Sequence, residues 1–433
     1  MKAAVVTLGC AKNQCCSEQM LWSLREAGYE LTGDVAESDL NVVNTCAFTE
    51  SARAESIDRV VELCALRGKV VVTGCLAQMY KDEIYRELPE VAGLVGCGSF
   101  ADIAQAARGA LAGQRPALFA PLGAPEREIP RITRGPAAYL KIAEGCSHRC
   151  AYCRIPSLRG DFTPRPPGDI LREAATLADM GVSELIVIAQ DITAHPGLLP
   201  LLRQMVAIEG LRRVRLHYLH PGGITDELLR LVASEEKIVK YLDVPVQHCN
   251  AQILAAMGRA CAETPDALFA RIKAAVPGVA LRTTVITGFP QETEARHEEL
   301  CAFLARHRLP RAGIFMYSRE EGTAAAAMSG QVTQKEKRRR YRQLLAVQNA
   351  VLAEYHASMR GNVVEVLCES EPDGRGLQTG RSYAESPDVD GVIRFSSRKP
   401  VCVGDYAYVM ITGETRAGLL GEVAARQKRG KGE

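Results

Sequence analysis

The stretch GCSHRCAYC, residues 145–153, sets Cys146, Cys150 and Cys153 in a C-x3-C-x2-C spacing. It follows directly on a strand-like run, AYLKIAEG. Thiolates hold iron–sulfur clusters, and a tight loop can bring three of them to three corners of one cube. A cubane cluster has four irons, so three protein ligands leave one iron open to a small molecule. A zinc knuckle is the competing reading. Zinc sites, however, use paired C-x2-C arms with two further Cys or His ligands. His148 could supply a fourth ligand, but its place inside the loop would strain a tetrahedron.

Working outward from this loop, strand and helix signals alternate to about residue 320. The strand candidates are AYLKIAEG, SELIVIAQD, RVRLHYLH, YLDVPVQH, LRTTVITGF and AGIFMYS. Six βα repeats predict a partial (β/α)6 barrel, because full closure takes eight. The charged helix TQKEKRRRYRQLLAVQNAVLAEYHASMRG closes this domain at 132–360, and its basic run reads as a solvated helix face.

The same alternation precedes the barrel. KAAVVTLGC, SDLNVVNTC and GKVVVTGC are strand runs, each followed by a helical pattern, so residues 1–112 read as a parallel-sheet α/β domain. Cys10, Cys46 and Cys75 stand at the carboxyl ends of these three strands, the edge where open parallel sheets bind ligands. Three equivalent positions can converge although they are far apart in the chain. Cys97, in GLVGC, is a weaker competitor that lacks a comparable turn. Cys15 and Cys16 start the following helix, where adjacent side chains point about 100° apart, so they cannot share one cluster corner.

Between the two α/β domains lies a Pro-, Gly- and Arg-rich linker, 113–131. After residue 360 the runs VVEVLCE, GVIRFSS and YAYVMITG predict a small OB-like β-barrel over 361–427, and 428–433 is a polar tail. A chain of 433 residues needs several such domains. Its net charge of +2 gives no global bias toward nucleic acid. No apolar run is long enough to span a membrane or act as a signal peptide, so no membrane partner and a cytoplasmic location are expected. Fifteen cysteines in a reducing compartment point to buried thiols and metal ligands rather than disulfides.

The C-x3-C-x2-C loop on the first strand of a partial βα barrel resembles the radical S-adenosylmethionine (SAM) superfamily. That resemblance implies a 4Fe–4S cluster on Cys146, Cys150 and Cys153, whose open iron chelates SAM and whose electron cleaves it to a 5′-deoxyadenosyl radical. Tyr152 stands where the family has an aromatic residue near the adenine. Together with a three-cysteine amino-terminal domain and a small terminal β-barrel, the whole chain resembles the methylthiotransferases. The terminal module then corresponds to their TRAM domain. The family implies a second, auxiliary 4Fe–4S cluster on Cys10, Cys46 and Cys75 that carries the inserted sulfur, a second SAM as methyl donor, and external electron and sulfur donors.

Within that family, CAFTESARAESID (46–58), CRIPSLRG (153–160), YLDVPVQH (241–248), YSREEGTAAA (317–326) and RSYAESPDVDG (381–391) resemble the RimO branch. That branch methylthiolates the β-carbon of an aspartate in small-subunit ribosomal protein twelve. The tRNA-adenosine enzymes (MiaB-like) are the nearest relatives and the alternative reading; a zinc-containing RNA-binding protein is a remote one. Between Gly361 and Arg426 ten acids face seven bases, a balance of about −3. A tRNA-gripping module needs excess Lys and Arg, so this excess of acid predicts a face for a basic ribosomal protein.

Other barrel residues divide between ligand contact and strand capping. Gln190, Asp191, Gln247, His248 and the turn at Gly288 end strands at the catalytic face, where each either contacts SAM or caps its strand. His217 and His220 read as structural. The chain departs from the family at the short loop AHPGLLPLL, at Gln291 where Gly is common, and at Cys249 where a small residue is usual.

Overall fold

The computed structural model describes residues 1–122, 130–133 and 135–424. The tail predicted at 428–433 and positions 123–129 of the predicted linker lie outside the described residues.

The amino-terminal domain is a six-stranded sheet: β1 (Lys2–Thr7), β2 (Glu30–Leu31), β3 (Leu40–Thr45), β4 (Lys69–Gly74), β5 (Val91–Val95) and β6 (Ala117–Leu118). They lie in the order β2-β1-β3-β4-β5-β6, every pair parallel. Helices cover both faces, so β3 and β5 are buried along their whole lengths; β5 reads as an apolar run, whereas β3 also buries Asn41, Asn44 and Thr45. The helical pattern after the third strand run forms two short helices, Cys75–Met79 and Lys81–Glu87, broken at Tyr80. Cys75 is therefore the first helical residue after β4, and Gly74 makes the turn at φ 89°. A side chain at Gly74 would come within 2.5 Å of the Thr45 carbonyl oxygen.

The central domain holds β7 (Ala137–Lys141), a short antiparallel ribbon of β8 (Ala143–Glu144) with β9 (Thr163–Pro164), then β10 (Glu184–Ile188), β11 (Arg213–Leu216), β12 (Ile238–Asp243), β13 (Ala280–Thr287) and β14 (Arg311–Met316). Six of these form one parallel sheet in the order β14-β13-β12-β11-β10-β7, which leaves β7 and β14 as edges of an incomplete barrel. One parity of the strands, including Leu140, Leu185, Val187, Leu216, Leu242 and Val285, packs outward on the helices as the main core. An exposed strand edge invites pairing with another chain. Here the edge at Tyr139 is closed from the other domain: its carbonyl accepts from Arg131, and the Cys15 thiol lies 3.5 Å away.

The terminal domain is a closed five-stranded barrel, β15 (Val363–Cys368), β16 (Leu377–Arg381), β17 (Val392–Ser396), β18 (Tyr406–Thr415) and β19 (Gly418–Val423). The strands β16 and β19 were not apparent in the sequence. No helix among the described residues is long and apolar enough to cross a membrane.

The other parity of the central strands faces the lumen and is strongly polar. The segment 382–390, between β16 and β17, fills this space. Tyr139 donates to Asp388 at 2.8 Å, Tyr241 to Asp390 at 2.8 Å, and Ser386 lies 2.6 Å from His217. Glu184 binds Arg215 at 2.6 Å and Arg381 at 3.0 Å, while Arg311 binds Glu385 at 2.7 Å. Glu365 pairs with Arg213 at 3.0 Å and Asp390 with Arg282 at 3.6 Å.

This placement corrects the expectation from charge. Glu365, Glu385, Asp388 and Asp390 are turned toward the barrel, because arginines at its inward positions need counter-charges when withdrawn from water. The acidic excess of the terminal module serves an internal interface, and it carries no argument about an external basic partner.

Candidate active site

The cysteine loop begins where β8 ends. Gly145, at φ 73°, passes so close to the neighbouring chain that a side chain would lie 2.2 Å from the Asp161 carbonyl oxygen. Cys146 N–H then donates to the Gly160 carbonyl at 3.1 Å, Cys153 N–H to Cys150 at 3.0 Å, and Ala151 N–H to Met257 at 2.9 Å. The loop is thus pinned to two other segments. Burial pushes the Cys153 thiol up to about 12, and the neighbouring Cys150 and Cys146 add to it. Burial raises Cys146 in the same way, with Cys150 adding. Arg259, itself buried, points Nη1 at Cys150 Sγ from 3.8 Å.

In the amino-terminal domain Cys10 precedes helix Ala11–Glu26 and is exposed, whereas Cys46 and Cys75 are buried. Burial, with Cys75 and Cys10 adding, pushes Cys46 up to about 11, so the three thiols interact. Gly9 permits this convergence: at φ 93°, a side chain there would lie 2.7 Å from Cys46 Cβ. Cys97 also reaches the site. Its thiol donates to Cys75, and that bond is the largest cause holding Cys75 below the ordinary thiol range. Burial opposes it and Arg159 assists. Cys97 therefore stands behind Cys75 as a hydrogen-bond donor, a role its lack of a following turn concealed.

Among the described residues, only His148, Asp191 and His220 bring three potential ligand atoms within 4.8 Å of one another. Neither cysteine trio closes that far.

A buried polar chain joins the two sites. Arg159 donates to Glu144 at 3.0 Å, to Asn13 at 2.8 Å and toward Cys75 Sγ at 3.5 Å. Glu144, two residues before Cys146, also accepts from Lys141 at 3.0 Å and Gln190 at 2.6 Å. Burial acts to raise the Glu144 carboxyl; Arg159 and Lys141 outweigh it and hold it well below its usual range. The domain interface is thereby fixed by charge beside Cys75 and two residues before Cys146.

The remaining predicted residues fall in two groups. Gln190 and Asp191 follow β10 beside the cysteine loop, and buried Gln190 Oε1 has no hydrogen-bond partner. Asp191 accepts from Thr193 and lies 2.8 Å from His148, which stacks on His220 with ring centroids 4.0 Å apart. His220, read as structural, belongs to this cluster at the loop. Tyr152 packs with the buried group Met257, Phe289 and Tyr317.

Gln247, His248 and Gly288 have backbone duties. Gln247 bridges to Val285 at φ 70°, and His248 Nδ1 accepts from Cys249 and Asn250 N–H at 3.0 Å each. Gly288 N–H donates to Glu292 at 2.6 Å, and a side chain there would meet Lys337 at 2.4 Å. His217 is buried against Ser386, as a structural histidine would be.

Comparison with known proteins agrees with this architecture. Residues 2–96 match the uncharacterized protein family UPF0004, 140–304 the radical SAM superfamily and 361–424 the TRAM domain. The chain is 43% identical to the ribosomal protein uS12 methylthiotransferase RimO of Pelotomaculum thermopropionicum, over 98% of this chain and 99% of that one. RimO of an Anaeromyxobacter species is 42% identical over 97% and 92% of the two chains, and RimO of Lachnoclostridium phytofermentans 40% identical over 97% and 99%. Among solved structures, the radical SAM methyltransferase TsrM of Kitasatospora setae superposes with a TM-score of 0.55 at 14% identity, covering 73% of this chain and 72% of that one. That likeness concerns the fold alone. The near full-length identity to several RimO proteins, on a fold with both cysteine sets in place, shows that the chain belongs to the RimO methylthiotransferase family.

Proposed function

We propose that Cys146, Cys150 and Cys153 hold one 4Fe–4S cluster, that Cys10, Cys46 and Cys75 hold a second, and that the enzyme methylthiolates an aspartate β-carbon of ribosomal protein uS12. The observation that carries this reading is the 43% identity to a uS12 methylthiotransferase along 98% of the chain. When bound, the clusters and SAM supply radical generation, sulfur and a methyl group. The chain supplies position. Gly145 and the pinned loop hold three thiols at one mouth of the barrel, while Gly9 and Gly74 let three strand ends meet at the other set. Arg159 and Glu144 keep the two sets in register across the domain boundary. Tyr152, Gln190 and Asp191 are the proposed SAM contacts, since they lie on or beside the cysteine loop. Gln247, His248 and Gly288 shape the same face through their backbone bonds. External electron and sulfur donors complete the reaction, and a ribosomal-protein substrate makes the cytoplasm its place of action.

The test separates the two sites. Anaerobically reconstituted protein should bind about eight irons per chain; stoichiometric zinc and no brown colour would refute the reading. Cys150→Ala should abolish SAM cleavage, whereas Cys46→Ala should leave cleavage intact and block sulfur insertion. Cleavage that survives in Cys150→Ala would mean that the ligands are misassigned.

A further inference from the structure

Lys12 is the second residue of helix Ala11–Glu26, two positions after Cys10, and it is only 7% exposed. Among the described residues it makes no ion pair or hydrogen bond. Its one polar contact is the face of Tyr218, whose ring centroid lies 3.2 Å from Nζ. Two further features make this an uncomfortable place for a cation. The first turn of the helix contains no acidic residue, and a helix amino terminus is itself electropositive, so it favours anions. The neighbouring lumen arginines already have their own acids, Arg215 with Glu184 and Arg282 with Asp243 and Asp390, which leaves Lys12 as the cation without a carboxylate of its own. Buried charges are ordinarily paired. A lysine withdrawn from water at the positive end of a helix, with only a ring beneath it, is organised for an anion that arrives from outside.

The surroundings say which anion. Tyr218 follows β11 at the carboxyl end of the barrel strands and adopts φ 60°. That left-handed conformation costs about 1–3 kcal/mol for a bulky residue and persists only where the surroundings enforce it. Tyr218 and Cys10 line one cavity of about 680 Å³, together with Gly9, Gln14, Tyr139 and Asp388. Lys12 follows Cys10 by two residues and rests on the ring of Tyr218, and both of those residues line this cavity.

We propose that Lys12 binds the side-chain carboxylate of the acceptor aspartate, orienting its β-carbon between the two cysteine sets and selecting a carboxylate over an amide or a neutral base. The proposal rests on the assignment of uS12 as substrate. Lys12 acts as a point charge, and the Tyr218 ring holds it in place while the site is empty of substrate.

The test compares uS12 with uS12 whose acceptor aspartate, located by mass spectrometry, is changed to asparagine. Binding of each is measured to the wild-type chain and to Lys12→Met and Lys12→Arg. Wild type should prefer the aspartate form on the order of 30-fold, the scale of a desolvated charge pair. Lys12→Met should lose that preference, and Lys12→Arg should restore part of it. SAM cleavage without substrate should be unchanged in both variants. Lys12→Met should also melt no lower than wild type, since it replaces an unpaired buried charge by an apolar chain of similar length. Retained aspartate preference in Lys12→Met would overturn the proposal, as would a loss of SAM cleavage with uS12 preference intact, which would assign Lys12 to the carboxylate of SAM. A lower melting point with unchanged discrimination would make Lys12 structural. Failure of the wild-type enzyme to modify uS12 at all would instead refute the substrate assignment.

Discussion

Changing Glu184 to Gln removes one negative charge from the lumen side of the first residue of β10 and leaves the side chain's shape. Glu184 accepts from Arg215 and Arg381, and the side chains of all three are at most 1% exposed. Burial works against its charge, but Arg215, Arg381 and Arg213 outweigh it and lower its pKa from 4.5 to about 2. A fall of that size corresponds to about 3 kcal/mol at about 1.4 kcal/mol per pH unit. Mutational losses of one partner from a buried pair fall in the same range, about 3–5 kcal/mol. Because Arg381 leads into the segment 382–390, the variant should loosen that segment first. Native-state hydrogen exchange of these amides on cluster-free protein should accelerate by roughly a hundred-fold at neutral pH. The folded pKa lies below the unfolded one, so the stabilisation is fully present above pH 4.5 and is lost as pH falls toward about 2. Wild-type and variant opening energies should therefore converge in acid. A difference of about threefold or less at neutral pH would refute the view that charge pairing holds the segment 382–390 in the lumen.

Three other outcomes follow from the same geometry. Gly9→Ala places a methyl group 2.7 Å from Cys46 Cβ on a left-handed backbone; it should cost more than about 1–2 kcal/mol and halve the reconstituted iron while SAM cleavage persists, and a full iron complement would contradict it. Arg159→Met removes one of the two cations on Glu144 and the donor to the Asn13 side-chain amide oxygen, while Lys141 stays on Glu144; a loss of about 1–3 kcal/mol is expected in denaturant unfolding, partly restored by Arg159→Lys, and an unchanged midpoint would count against the bridge. Gln291 sits at φ 68°, so Gln291→Gly should stabilise by up to about 1 kcal/mol, read as a higher melting temperature; a lower one would show that the Gln291 side chain contributes more than its backbone costs.

The barrel and the parallel amino-terminal sheet were legible because they are written locally. Apolar runs buried on both faces announce the parallel strands, and the spacing of Cys146, Cys150 and Cys153 announces the loop. The strand-end positions of Cys10, Cys46 and Cys75 were also legible, since three similar runs end alike. What escaped depends on contacts between distant segments. The strands Leu377–Arg381 and Gly418–Val423 are broken by glycines and carry little periodicity. The acids of 365–390 look like a surface charge until Arg213, Arg282 and Arg311 are seen opposite them. Cys97 meets Cys75 only because β5 lies beside β4. Lys12 looks like any helix lysine, and its isolation is a property of the folded interface.

The most direct test of the central claim is tandem mass spectrometry of uS12 after incubation with reconstituted enzyme, SAM, a low-potential reductant and a sulfide source. The expected result is a gain of one CH2S unit, hydrogen replaced by a methylthio group, confined to a single aspartate and absent with Cys46→Ala. The same mass gain on tRNA adenosine, with uS12 left unmodified, would contradict it.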